Sequence, residues 1–178
     1  MGARSDAPAG LNVSLRAITT ADEAFVREVY ASTRDAEMAM VDWDHATKQA
    51  FLDQQFFAQS VHYATNHAGA DFDLILVDGE PVGRLYVQRG DDEIHLLDIA
   101  VLAPYRNRGI GTLLARELME EAEQRGLPMR LHVEMFNDGA RRLYERLGFV
   151  PVEERGLYIL MERVVGDKQP TQGGRQNP

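Results

Sequence analysis

Hydrophobic and polar positions alternate, cluster and recur along the chain in a way that predicts a mixed set of strands and helices. Val13–Ile18 reads as a strand with Val13, Leu15 and Ala17 on one face. Thr20-Ala21-Asp22-Glu23 has the capping residue and early acids of a helix start, and a helix follows to about Arg34. A longer helix fits Asp44 to about Thr65, with Leu52, Phe56 and Tyr63 as its apolar side and Phe51, Ala58 and Val61 beside them. Leu74–Val77, the turn Asp78-Gly79 and Val82–Val87 form a hairpin, because Asp-Gly between two apolar runs fits the mirror-image turns that hairpins need. Glu93 to Leu102 is apolar on both faces and is expected to be a central strand. Alternation along it puts Glu93 on the face of His95 and Asp98 on the opposite face.

Ile110, Leu113, Leu114, Leu118 and Ala122 then recur at helical spacing. That helix begins near Gly109, runs to about Arg125 and ends at Gly126 and Pro128. Met129–Met135 follows as a strand and Asp138–Leu147 as a helix. Phe149–Val152 and Leu157–Val164 form a closing strand pair. The expectation is one α/β domain over about residues 12–165, with tails at 1–11 and 166–178 that hold too little apolar surface to fold.

Composition narrows the function. The 178 residues carry a net charge of −9 and no cysteine. An acidic chain lacks the basic footprint of a nucleic-acid coat or an anionic membrane partner, so neither nucleic acid nor membrane is expected. Without cysteine there is no thiol nucleophile and no Cys-based metal site. The histidines are scattered, so no metal is expected. No signal peptide or membrane span is visible at the start or elsewhere, which suggests a cytoplasmic protein.

One segment runs against the overall charge. Residues 103–116 contain Arg106, Arg108 and Arg116 and no acid. They lie between a strand and a helix, with Gly109 and Gly111 at the turn. Glycine admits unusual dihedrals and close approach of a ligand to the main chain. The first N–H groups of a helix have no internal partner, and the helix dipole favours an anion there. The loop therefore suits a phosphate or pyrophosphate. It is not a Walker loop, which needs Gly-Lys before Ser or Thr. It is not the dinucleotide fingerprint either, since Leu114 stands where the third glycine belongs.

Arg106-Asn107-Arg108-Gly109-Ile110-Gly111 after a central strand, and then Asn137 through Tyr144 to Gly148-Phe149, resemble the two signatures of the GCN5-related N-acetyltransferase superfamily. The resemblance spans about residues 13–164 and is strongest over 96–150. It implies an α/β fold with a mixed, mostly antiparallel central sheet flanked by helices, in which two parallel central strands, here Leu96–Leu102 and Met129–Met135, splay apart around acetyl-CoA. It further implies that backbone groups of Ile99, Ala100 and Val101 pair with the pantetheine arm. The main-chain N–H groups of Arg106, Asn107, Arg108, Gly109, Ile110, Gly111 and Thr112 would hold the pyrophosphate, and the arginine side chains could add bonds to it. Asn137 would touch the cofactor, cap its helix, or both.

The implied activity is transfer of an acetyl group from acetyl-CoA to a primary amine by direct attack in a ternary complex. An N–H near Ile99 or Val101 would polarise the thioester carbonyl. Tyr144 would protonate the departing sulfur, its alternative being a packing role on an apolar helix side. His95 is the first candidate for the general base, or else a partly buried strand histidine; His132 and Glu134 are more remote candidates. A non-catalytic acyl-CoA-binding or sensory domain on the same fold is the alternative function. The acceptor would be a small-molecule or peptide amine. Residues 20–73 hold ten acids and three bases, which either attract a cationic acceptor or solvate two helices. Glu37, Asp42, Trp43 and Gln55 are candidate lining groups, and Trp43 serves equally as a core anchor. Many members of the family are homodimers, some through their closing strands.

Overall fold

The structure, a computed structural model, describes residues 10–164 and 166. The predicted tails fall almost wholly outside these residues. The strands are β1 (Val13–Ala17), β2 (Asp71–Val77), β3 (Glu80–Arg89), β4 (Ile94–Val101), β5 (Met129–Glu134), β6 (Val150–Arg155) and β7 (Tyr158–Arg163). The helices are α1 (Glu23–Thr33), α2 (Asp35–Ala39), α3 (His45–Asn66), α4 (Ile110–Arg125) and α5 (Asp138–Arg146). A single sheet has the order β1-β2-β3-β4-β5-β7-β6, with β4 and β5 parallel and every other pair antiparallel. None of the described helices is long and apolar enough to cross a membrane.

Each face of the sheet buries its own cluster. On one side Ile110, Leu114, Leu118 and Ala122 of α4, with Tyr144 of α5, pack on Val82, Leu85, Ile94, Leu96, Met129, Leu131 and Met161. On the other, Val26 and Tyr30 of α1 and Phe56 of α3 pack on Leu74. Removing this apolar surface from water supplies the main drive to fold, at about 25 cal/mol per Å².

The short helix α2 was not expected from sequence; it is a single turn and a half whose residues are all partly or fully exposed. In β1, the edge strand of the sheet, only Val13 is buried, and Leu15 is 39% exposed.

The expected placement of Asp98 is corrected. Cross-strand partners share a face, and Gln88 pairs with His95 while Tyr86 pairs with Asp98. Gln88 and Tyr86 are two residues apart on β3, so they share a face, and so do His95 and Asp98. Simple alternation along β4 fails because a β-bulge lies between the pairs, with Val87 opposite Leu96 and Tyr86 opposite Asp98, so that Leu97 has no partner.

Candidate active site

The sheet opens at the same place as the bulge. β4 and β5 pair only from Ile94–Met129 to Leu96–Leu131. Beyond Leu96 both strands continue without each other, so a V-shaped gap separates Leu97–Val101 from His132–Glu134. Leu102 donates its N–H to Val82 of β3. By alternation, the N–H groups of Ile99 and Val101 point the other way, into the gap. A hydrogen-bond donor is thus available where two strands have parted.

Two cavities occupy the gap. The larger, about 780 Å³, is lined by Ile99, Ala100, Val101, Tyr105, Arg106, Asn107, Gly109, Ile110, Gly111, Thr112, Asn137, Gly139, Ala140, Leu143, Tyr144 and Arg146, with Thr33 at its edge. All the residues expected to hold the cofactor are here except Arg108, whose guanidinium lies over the Tyr105 ring, 5.2 Å from its centroid. The loop enters α4 through two left-handed residues, Asn107 at φ 59° and Gly109 at φ 82°. That conformation turns successive N–H groups inward as an anion-binding concavity at a helix N-terminus.

The side chain of Arg106 does something other than the expected phosphate contact. Its Nε donates to the Val101 carbonyl at 2.9 Å, and its Nη2 donates to the Ser32 carbonyl at 2.9 Å. It satisfies a carbonyl left open by the parted strand and ties the loop to α1. Arg146 of α5 instead lines the cavity. Its place follows from helical spacing with Leu143 and Gly139, three and seven residues before it, a signal the sequence reading did not use.

The smaller cavity, about 270 Å³, is lined by Tyr30, Thr33, Arg34, Gln59, Tyr63, Arg84, Leu97, Asp98, His132, Glu134, Tyr144 and Tyr158 among others. Ile99, Ala100, Asn137, Ala140 and Tyr144 border both cavities. Tyr144 therefore stands where the two meet. Its ring packs 5.6 Å from that of Phe149, and burial, with a smaller push from Asp98, raises its pKa above the usual phenol value. Packing and a place on both cavity walls coexist in this residue. Asn137 accepts a hydrogen bond from the Ala140 N–H at 3.0 Å as the cap of α5, while also facing both cavities.

His132 lines the smaller cavity and His95 does not. His95 stands behind it, with its Nε2 3.2 Å from His132 Nδ1. Burial, then His132, His67 and Arg130, lower the pKa of His95 to about 4. Burial and Arg155 lower that of His132, partly opposed by Glu93 and Glu153. Both rings are neutral at pH 7.

The acceptor-lining residues expected from sequence are elsewhere. Glu37 accepts from Arg34 at 2.8 Å, Asp42 and Gln55 are exposed, and Trp43 packs edge-on against Phe51, 5.4 Å between centroids. None of the four borders either cavity. One further turn of α3 brings Gln59 and Tyr63 inward instead. The cavity's own carboxylates are paired: Asp98 lies 2.6 Å from the buried Arg84 and Glu134 lies 3.2 Å from Arg34.

Residues 27–149 match the model of the acetyltransferase (GNAT) family. The chain is 36% identical over 87 residues to the [ribosomal protein bS18]-alanine N-acetyltransferase of Escherichia coli, covering 48% of this chain and 52% of that one. It is 34% identical over 67 residues to a probable N-acetyltransferase, san, of Drosophila melanogaster, covering 36% of each. These matches thus span about a third to a half of the relatives' lengths. Among solved structures, PaiA N-acetyltransferase from Thermoplasma acidophilum in complex with coenzyme A superposes with a TM-score of 0.64 at 16% identity, covering 86% of this chain and 99% of that one. A family match over more than half of the chain, joined to a parted β4–β5 pair with a glycine loop at its open end, makes this protein a member of the GNAT acetyltransferase family.

Proposed function

We propose that this protein transfers the acetyl group of acetyl-CoA to the α-amine of a peptide. The observation that carries the reading is the position of Tyr144 at the junction of a large cavity with an anion-binding loop and a smaller cavity with a neutral histidine. The loop N–H groups from Arg106 to Thr112 would take the pyrophosphate. The N–H groups of Ile99 and Val101 face the gap and would polarise the thioester carbonyl, where preorganised donors contribute most.

The amine enters the smaller cavity as an ammonium and gives one proton to His132. Its lone pair then attacks the thioester carbon. As the C–S bond breaks, Tyr144 donates its hydroxyl proton to the departing thiolate, and the second amine proton restores the phenol. The products are the amide, the CoA thiol and one proton released to water. We assign the base to His132 over His95 because only His132 borders the cavity.

Two facts support an α-amine. A histidine with a lowered pKa removes a proton from an α-amine of pKa about 8 against a modest gap, and from a lysine amine near 10.4 against a far steeper one. The smaller cavity's lining also balances its two carboxylates, Asp98 and Glu134, against two arginines, Arg84 and Arg34, so it offers no net negative charge to favour a polyamine or aminoglycoside. The relatives' names, an alanine N-acetyltransferase of a ribosomal protein among them, agree with such an acceptor. The test is an acetylation screen of peptides, amino acids, polyamines and aminoglycosides, read by thiol release, beside calorimetric titration with acetyl-CoA. Peptides with a small uncharged first residue should turn over fastest. Faster turnover of polyamines would overturn the acceptor, and no acetyl-CoA binding at submillimolar concentration would overturn the activity.

A further inference from the structure

A base that borders the acceptor cavity works only if its lone pair faces the amine. A neutral imidazole has one N–H and one lone pair, and the partner of one nitrogen decides which nitrogen stays free. His132 Nδ1 has such a partner, His95 Nε2 at 3.2 Å. One of these two nitrogens must donate and the other accept.

The far side of His95 favours one direction. Its Nδ1 faces Glu93 Oε1 at 3.5 Å. A carboxylate attracts an N–H and repels a lone pair, which favours the neutral His95 with its proton on Nδ1 and its lone pair on Nε2. Glu93 is itself held, since its Oε2 accepts from Arg130 Nη1 at 2.7 Å and Arg130 Nε donates to Glu162 Oε2 at 2.6 Å. The remaining charged or titratable groups around the two rings are His67 at the end of α3, and Arg155 and Glu153 of β6.

We infer that His95 is a positioning residue: anchored by Glu93, it accepts the Nδ1–H of His132 and so leaves His132 Nε2 free as the base. The inference deepens the proposed acetyl transfer and rests on it for its consequence in turnover. When His132 takes the proton of the amine at Nε2, the imidazolium strengthens its bond to His95, because a charged donor binds about twice as strongly as a neutral one. No proton needs to pass through His95. The arrangement parallels the buried carboxylate that orients the histidine of a serine hydrolase triad, with an imidazole inserted between.

Long-range ¹H–¹⁵N correlation spectra of the whole protein at pH 7.5 read the tautomer directly. Wild-type His132 should carry its proton on Nδ1. In His95→Phe it should shift largely to the Nε2–H form, which is the commoner tautomer of free imidazole side chains. His95→Gln, whose amide oxygen can replace Nε2, should retain Nδ1–H. In turnover, His95→Phe should lower kcat about 10-fold or more, leave KM for acetyl-CoA within about 2-fold, and move the acid limb of the kcat profile to lower pH. His95→Gln should recover most of kcat. Should His95→Phe fail to fold, His95→Asn, too short to reach His132, gives the same readout.

A wild-type His132 protonated on Nε2, or a tautomer unchanged in His95→Phe, would overturn the inference. The spectra need no turnover. An inactive wild type with the Nδ1–H form would therefore overturn the proposed activity and uphold the positioning.

Discussion

Tyr144 is a core residue that also faces the site: 7% exposed, packed on Phe149, and bordering both cavities. Burial raises its pKa, so the phenol stays protonated across the range in which a CoA thiolate, near the ordinary thiol value of about 8.5, departs. Removing one oxygen should spare the packing and remove the proton. Tyr144→Phe is therefore expected to lower kcat about 10²-fold, the usual worth of a positioned acid, with KM for acetyl-CoA within about 3-fold and an unchanged melting temperature. Steady-state kinetics at saturating acceptor measure this, and an equal kcat would remove the phenol from the mechanism. A second prediction follows from His132. Its lowered pKa puts the acid limb of kcat below the ordinary histidine value of about 6.5. Activity should rise with pH through that limb and level off before pH 7, and His132→Gln should abolish the limb together with most of the rate.

At the scale of elements, β4 decides the site, and most of it was legible. Its apolar faces placed it at the centre of the sheet, and Arg106-Asn107-Arg108-Gly109-Ile110-Gly111 placed a glycine turn into a helix after it, as the structure has them. The bulge at Leu97 was not legible, since one unpaired residue leaves no mark in a strand that is apolar on both sides. Missing it reversed the face of Asp98 and hid its partnership with Arg84. The four residues expected to line an acceptor site do not border the two cavities, for a similar reason. Glu37, Asp42, Trp43 and Gln55 were picked by chemistry from a charged region, whereas the residues that reach the cavity depend on how α1 and α3 rotate against the sheet. Gly83 shows how closely β3 fixes β4. A Cβ there would lie 2.2 Å from the Ala100 carbonyl oxygen and 3.1 Å from Val101 Cα, with backbone and not a flexible side chain in the way. Gly83→Ala must push β4 outward at Ala100 and at Val101, whose N–H faces the gap. It should cost about 1–3 kcal/mol by the usual scale of overpacking and weaken acetyl-CoA binding, both read by denaturant melts and calorimetry. A fully stable variant with unchanged affinity would show that β4 is not held at this point.

For the molecule as a whole, the histidines at the site link the proposed acetyl transfer to stability. The Asp22 carboxylate, held by Arg16, has a lowered pKa and loses its contribution only in strong acid. His95 acts earlier. Its pKa is about 4 in the folded chain against about 6.5 when unfolded. As the pH falls below 6.5 the unfolded chain takes up a proton that the folded chain refuses, so the equilibrium moves toward unfolding until both forms are protonated near pH 4. The contribution is complete above pH 6.5, declines between 6.5 and 4, and is flat below; His132 adds in the same direction over a narrower span. Two and a half pH units at 1.36 kcal/mol each correspond to roughly 3 kcal/mol, a large share of a domain's usual 5–15. Urea unfolding at pH 7 and pH 4.5 should show the wild type losing about 2–3 kcal/mol more than His95→Gln, which has no group to protonate there. Equal losses in the two proteins would mean that His95 is solvated well enough to keep an ordinary pKa. The depressed basicity that makes the pair neutral and ready to accept an amine's proton at pH 7 would then need another source.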